Sequence, residues 1–132
     1  MKAEELRINN LVSRTNKLTK ENSIIELTAS CILDIHANGE MSSFIYEPIL
    51  LTEEWLLKFG FEQSLIDKKL YKYMNFIFFK LEYEYTNSID FDYISANLRG
   101  TNAGSFMCRL YFAHQLQNLY YALTQTALTL KK

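Results

Sequence analysis

The sequence predicts an α+β fold, with an antiparallel β-meander or small sheet, two short helices, and a C-terminal amphipathic helix packed on one face. Three stretches carry that expectation. EPILLTEEWLLKFGF (47–61) is punctuated at both ends as a short helix. FKLEYEY (79–85) alternates with period two. HQLQNLYYAL (114–123) places Leu116, Leu119, Tyr120 and Leu123 at i, i+3, i+4 and i+7. No strand–helix–strand alternation argues for a parallel sheet, and no linker or repeat interrupts the chain, so residues 1–132 read as one domain.

Each element follows from its residues. LRINNLVS (6–13) opens in extended form, and its Asn9-Asn10 pair suits a turn or bulge because Asn tolerates left-handed backbone. The polar segment 15–22 reads as a loop, and SIIEL (23–27) as a strand rich in β-branched residues. Thr28 caps a short helix over ASCILDIHANG, with Cys31, Ile32 and Ile35 on one face and Gly39 past its end. A strand continued through Ile35 is the rival reading.

Thr52 is the N-cap of the next helix, with Glu53 and Glu54 where the helix dipole favours negative charge. Leu51 and Leu56 stand at hydrophobic-staple spacing. Gly60 supplies a left-handed C-terminal residue that lets Phe61 fold back toward Leu56, and Trp55 and Phe59 pack inward. KLYKY (69–73) and FIFFKLEYEY (76–85) pair as a hairpin turning near Met74-Asn75. FDYISANL (91–98) is a third strand, RGTNAGS (99–105) a loop and FMCRL (106–110) a last strand. The final helix runs from Phe112 or Ala113 to Thr124, and the tail TALTLKK either adds an edge strand or frays.

Composition narrows function. Hydrophobic residues make up 48% of 132, which suits a globular chain and argues against a disordered tail. Nine tyrosines dominate an aromatic content of 14%, and tyrosine suits both core edges and interfaces. The net charge of −1 lacks the basic excess of most nucleic-acid binders. The basic stretch RINNLVSRTNKLTK nevertheless makes Arg7, Arg14, Lys17 and Lys20 candidates for an acidic partner or nucleic acid. A second candidate surface joins Tyr71, Tyr73, Tyr83 and Tyr85 to Lys68, Lys69, Lys72 and Lys80 on the meander. The competing reading makes those tyrosines the core face and the interspersed charges the wet face. No signal peptide and no apolar run near the ~20 residues of a membrane span are visible, so a cytoplasmic location and no membrane partner are expected.

Chemistry is sparse. Cys31 and Cys108 have no metal-type spacing and read as free thiols, with one disulfide between them left open. His36 and His114 have no second ligand at helical or hairpin spacing. Asp34, Asp90 and Asp92 would need folding to bring them together. A Cys108–His114 pair lacks any nucleophile-elbow context, and GTNAG (100–104) lacks the lysine of a phosphate loop. The chain therefore reads as non-enzymatic, with no catalytic residue, cofactor or metal. One uncharged polar strip, His114, Gln117, Asn118 and Tyr121, lies along the last helix where a solvated helix would carry Lys and Glu. It either hydrogen-bonds within the domain or forms a partner surface.

LRINNLVS, EPILLTEEWLLKFGF and HQLQNLYYALTQTALTL together resemble a family of small uncharacterised proteins carried by phages and prophages of Bacteroidetes-type bacteria. Its members open with Leu-Arg-Ile-Gly-Asn-Leu-Val, share a Pro-x-x-Leu-Thr-Glu-Glu-Trp-Leu-Leu-Lys-Phe-Gly-Phe block and end in a His-Gln-Leu-Gln-Asn-Leu-Tyr helix. Asn9 stands where Gly is usual. The resemblance covers about a third of the chain. It implies a mobile-element accessory protein in a bacterial host cell, without assigned catalytic residues. Such a protein would bind a host protein, for example as an anti-CRISPR-like inhibitor of a defence nuclease, or bind nucleic acid.

Overall fold

The computed structural model describes residues 1–63, 70–73, 77–82, 88–93 and 105–131, with side chains described for 1–62 and 110–131. The architecture is α+β, and the chain divides into two compact units. The first comprises Met1–Ile49 and Phe112–Ala127, and the second Leu50–Tyr111 and Leu128–Lys132.

In the first unit, a 3₁₀ turn at Ala3–Glu5 leads into strand β1 (Leu11–Asn16), which pairs antiparallel with β2 (Asn22–Glu26) and β3 (Phe44–Glu47) in the order β2-β1-β3. The segment expected as a loop over 15–22 shrinks to 17–21. Asn22 is the reason: its Nδ2 donates across the strands to Ser13 Oγ (2.7 Å) and Thr15 Oγ1 (2.8 Å), so polar residues extend the ladder. Asn16 Oδ1 accepts the N–H groups of Leu18 and Thr19 and closes the turn. Strand β3 was not expected from sequence.

Helix α1 (Ala29–Asn38) settles the helix-or-strand choice at Ile35 in favour of helix. Thr28 Oγ1 accepts the N–H of Cys31 at 3.3 Å, and Gly39 ends the helix at φ +51°. Cys31, Ile32 and Ile35 pack with Ile25 and Tyr46 around the buried Leu6, Val12 and Leu27. Val12, Ile25 and Tyr46 share one face of the sheet by register, because Val12 opposes Ile25 and Arg14 opposes Tyr46. The opposite face carries Ser13, Thr15, Asn22 and the exposed Ile24 and Ile45.

Helix α3 (Ala113–Thr124) belongs to the same unit and buries Ala113, Leu116 and Tyr120, while Leu119 and Leu123 are half-buried. Gln115 Oε1 accepts the N–H of Phe112 (3.1 Å), which satisfies the N-cap donor although Phe112 itself has no side-chain acceptor. Gln125 at φ +60° ends the helix in the left-handed conformation.

In the second unit, helix α2 (Glu53–Lys58) forms as its local signals require. Thr52 Oγ1 accepts the N–H of Trp55 at 3.5 Å. Gly60, at φ +96°, donates to the Leu57 carbonyl and Phe61 donates to the Leu56 carbonyl, each at 3.0 Å. Those two bonds define a Schellman motif, and Leu51, Leu56, Phe59 and Phe61 are all buried around it. Trp55 is only half-buried; its ring lies 6.1 Å from Phe59 and under the Lys58 ammonium at 4.5 Å. A five-stranded antiparallel meander follows: β4 (Glu62–Gln63), β5 (Leu70–Tyr73), β6 (Ile77–Glu82), β7 (Ser88–Tyr93) and β8 (Ser105–Leu110). The third strand starts at Ser88, three residues before the expected Phe91. The register aligns Tyr71, Phe79, Phe91 and Cys108, with an irregularity after Phe91. The tail is neither strand nor frayed end: Leu128 is buried and Lys131 N–H donates to the Lys58 carbonyl at 2.7 Å. The expected turn at Met74-Asn75, residues Tyr83–Tyr85 and the GTNAG loop lie outside the described residues.

At Gly60 an added Cβ meets the left-handed penalty. Gly60→Ala should therefore lower stability by about 1–2 kcal/mol, read as a shift in the urea midpoint. An unchanged midpoint would refute the role given to that residue.

Candidate functional site

Two places in the first unit gather polar chemistry. The first is the uncharged strip of α3. Gln117 Oε1 accepts the N–H of Leu11 (2.8 Å), and its Nε2 donates to the Asn9 carbonyl (3.2 Å). Asn118 Oδ1 accepts from Asn10 Nδ2 (2.9 Å), and its Nδ2 donates to the Glu5 carbonyl (2.8 Å). Asn10 Oδ1 in turn accepts the N–H of Arg7 (2.7 Å). The Arg7 guanidinium lies 3.6 Å from the centre of the Tyr121 ring, a cation–π contact. Gln117, Asn118 and Tyr121 thus clamp the segment Glu5–Leu11 to the helix. The turn they hold has Asn9 at φ +74°, a conformation glycine adopts freely and Asn tolerates.

His114 differs from the rest of the strip. It is 1% exposed, stacks on Phe112 at 5.8 Å, and neither ring nitrogen has a hydrogen-bond partner among the described residues. Burial pushes its pKa below the ordinary 6.5, against an opposing attraction from Glu5, while the N-terminal ammonium adds to the depression.

The second place is an open cleft of ≈ 490 Å³ beside β3, lined by Met1, Lys17, Ile35, Gly39, Glu40, Phe44, Ile45 and Tyr46. Behind it Asp34 is a hub. Its carboxylate accepts from Ser42 Oγ, from Asn38 Nδ2 (2.7 Å) and from the Tyr46 hydroxyl (3.2 Å). The Ser42 bond, then that of Asn38, holds the Asp34 carboxyl below the usual range. Burial, followed by the charges of Cys31 and Asp34, pushes Tyr46 up to about 12. Cys31 is a free thiol. Burial works against its thiolate, but hydrogen bonds from Thr28 and Tyr46 and the charge of Arg14 outweigh that and lower its pKa. Lys17 Nζ donates to the Glu40 carbonyl, and the Lys17 N–H to the Ser43 carbonyl at 3.0 Å. These bonds bring the β1–β2 turn beside the segment Gly39–Ser43. Leu18 on one and Met41 on the other are 90% and 91% exposed.

The sequence-derived cations are dispersed. Arg7 stacks on Tyr121, and Arg14 lies 4.4 Å from the centre of the Phe44 ring. Lys17 lines the cleft, and the exposed Lys20 sits in the β1–β2 turn at φ +64°. Lys72 lies in β5 opposite Phe78, and Lys80 in β6 opposite Leu70 and Asp90, with Arg109 next across. Lys68, Lys69 and the side chain of Cys108 lie outside the described residues. The cleft was missed from sequence; the alternation Phe44-Ile45-Tyr46-Glu47 before Pro48 was the available strand signal.

Comparison with protein-family models, with curated proteins and with solved structures gives no match. Among the described residues no helix is long and apolar enough to cross a membrane, and no group of three or more His, Cys, Asp or Glu is placed to hold a metal ion.

Gln117→Ala should cost about 1–3 kcal/mol, because it leaves the Leu11 N–H and the Asn9 carbonyl without these partners; chemical denaturation measures it. A second expectation concerns pH. The folded state resists protonating His114, so the stability linked to it is full above pH 6.5 and declines as pH falls below that value. A His114→Leu variant should show a flatter stability profile between pH 7 and 5, at about those bounds. Parallel profiles would exclude His114 as the cause.

Proposed function

We propose that this chain is a phage- or prophage-type accessory protein that works without catalysis, by binding a host protein. An anti-CRISPR-like inhibitor of an RNA-guided defence nuclease is the sharpest form of that reading. The observation that carries it is the pair Leu18 and Met41. Both are almost fully exposed, on segments tied together by the two hydrogen bonds of Lys17. Exposed apolar side chains on short, braced turns favour a partner that removes them from solvent. Lys17 and Lys20 flank them and would suit an acidic rim on that partner. The α3 strip supports the same division of labour, since Gln117 and Asn118 hydrogen-bond within the unit, while Leu18 and Met41 are its most exposed large apolar side chains among the described residues. The resemblance to phage and prophage proteins supplies the host as the place to look.

The test uses the tagged full chain as bait in lysate of a prophage-bearing host of the Bacteroidetes type. A stoichiometric host protein should be retained by wild type and fall by about tenfold or more with the double substitution Leu18→Glu, Met41→Glu. Equal retention by both proteins, with circular dichroism unchanged, would overturn this surface. For the inhibitor form, excess protein should suppress target cleavage by a purified RNA-guided nuclease from that host.

A further inference from the structure

We infer that β3 is a self-pairing edge, through which two copies of this chain join their three-stranded sheets into one six-stranded sheet. The ladder phase is the starting point. Lys17 N–H donates to the Ser43 carbonyl, and the same register opposes Thr15 to Ile45 and Ser13 to Glu47. Alternation in an antiparallel ladder then makes Ser43, Ile45 and Glu47 the residues bonded to β1. It turns the N–H and C=O of Phe44 and Tyr46 to the outer side. No described strand pairs there, since the sheet order is β2-β1-β3. The Phe44 N–H rests on Ser42 Oγ at 3.1 Å. The cleft runs along this edge, lined by the consecutive residues Phe44, Ile45 and Tyr46, so an extended backbone has room to lie against it.

A second copy fits that edge in one antiparallel register. With a two-fold axis at Ile45, Phe44 opposes Tyr46 of the second copy and Tyr46 opposes its Phe44. Those are hydrogen-bonded pairs in which the Phe44 N–H exchanges Ser42 Oγ for the Tyr46 carbonyl of the second copy, and both place two aromatic residues side by side. Ile45, 44% exposed, meets its own copy at the centre. The charges also match. Glu47 is exposed, with no ion pair among the described residues. In this register it stands opposite Ser43 of the second copy, with Lys17 next in the same row. The Lys17 ammonium, which donates to the Glu40 carbonyl, lies on the side of Ser43 from which it adds a positive field near that carboxylate. No like charges face each other, and Pro48 ends the strand just past Glu47. A four-residue edge makes a small interface, so the dimer forms at high protein concentration. This pairing is independent of the host-protein reading and requires no partner.

The test reads register. In a non-hydrogen-bonded antiparallel pair the Cα atoms lie about 4.5 Å apart, within reach of a disulfide. Mild oxidation of the full-length Ile45→Cys variant should give a disulfide-linked dimer. Under identical conditions wild type, which retains Cys31 and Cys108, and Glu47→Cys should not. Sedimentation equilibrium of wild type should show the mass rising from 15.5 kDa toward twice that value with concentration. Ile45→Lys should abolish the rise without changing the circular dichroism spectrum, because position 45 is open to solvent in the single chain. A wild type that stays monomeric throughout, or a dimer that cross-links as well through position 47 as through position 45, would overturn the assignment.

Discussion

The first unit depends on one side-chain amide. Gln117 takes the Leu11 N–H and the Asn9 carbonyl at once, joining residues more than a hundred positions apart. Leu11 is buried and begins the central strand. A donor left unpaired there would carry its full desolvation cost. Backbone on either side of the turn is held as well, because Asn9 N–H donates to the Leu27 carbonyl and Leu27 N–H to the Asn10 carbonyl, each at 2.8 Å. Once the entry to β1 is set, the registers of β2 and β3 follow from it, and Val12 and Leu27 reach the core together.

A second polar hub serves β3. Asp34 projects from α1 to Ser42 and Tyr46, so the helix holds both the approach to β3 and its third residue. That arrangement explains how so short an edge strand is held. It also explains why Tyr46 lies against α1. The Ser42 and Asn38 hydrogen bonds lower the Asp34 pKa, and burial, with smaller contributions from the charges of Cys31 and Asp34, raises that of Tyr46. Tyr46, which Asp34 holds, also lines the cleft beside β3.

How much was legible varied with the range of the interaction. Helix α2 was readable except for the half-buried Trp55, because Thr52, Leu51, Leu56, Gly60 and Phe61 act within ten residues of one another and each has a single structural meaning. Thr28 and Gly39 bounded α1 for the same reason. The loop over 15–22 was misread because Asn22 looks like a turn residue until Ser13 and Thr15 stand opposite it. His114 looked like part of a polar strip, yet it is buried against Phe112 while its neighbours make the bonds. Nothing in its spacing distinguishes it from Gln117.

By itself the sequence determined the α+β class, the two capped helices, the alternating meander and the apolar stripe of α3. Each rests on backbone propensity and on periodicities of 3.6 or 2, which act locally. Only the tertiary structure decided that Gln117 and Asn118 grip the turn before β1, that Asp34 anchors β3, and that β3 ends its sheet with an outward-facing backbone. Those outcomes depend on which donor meets which acceptor across the fold, and hydrogen-bond pairing between distant residues leaves no periodic trace in a chain.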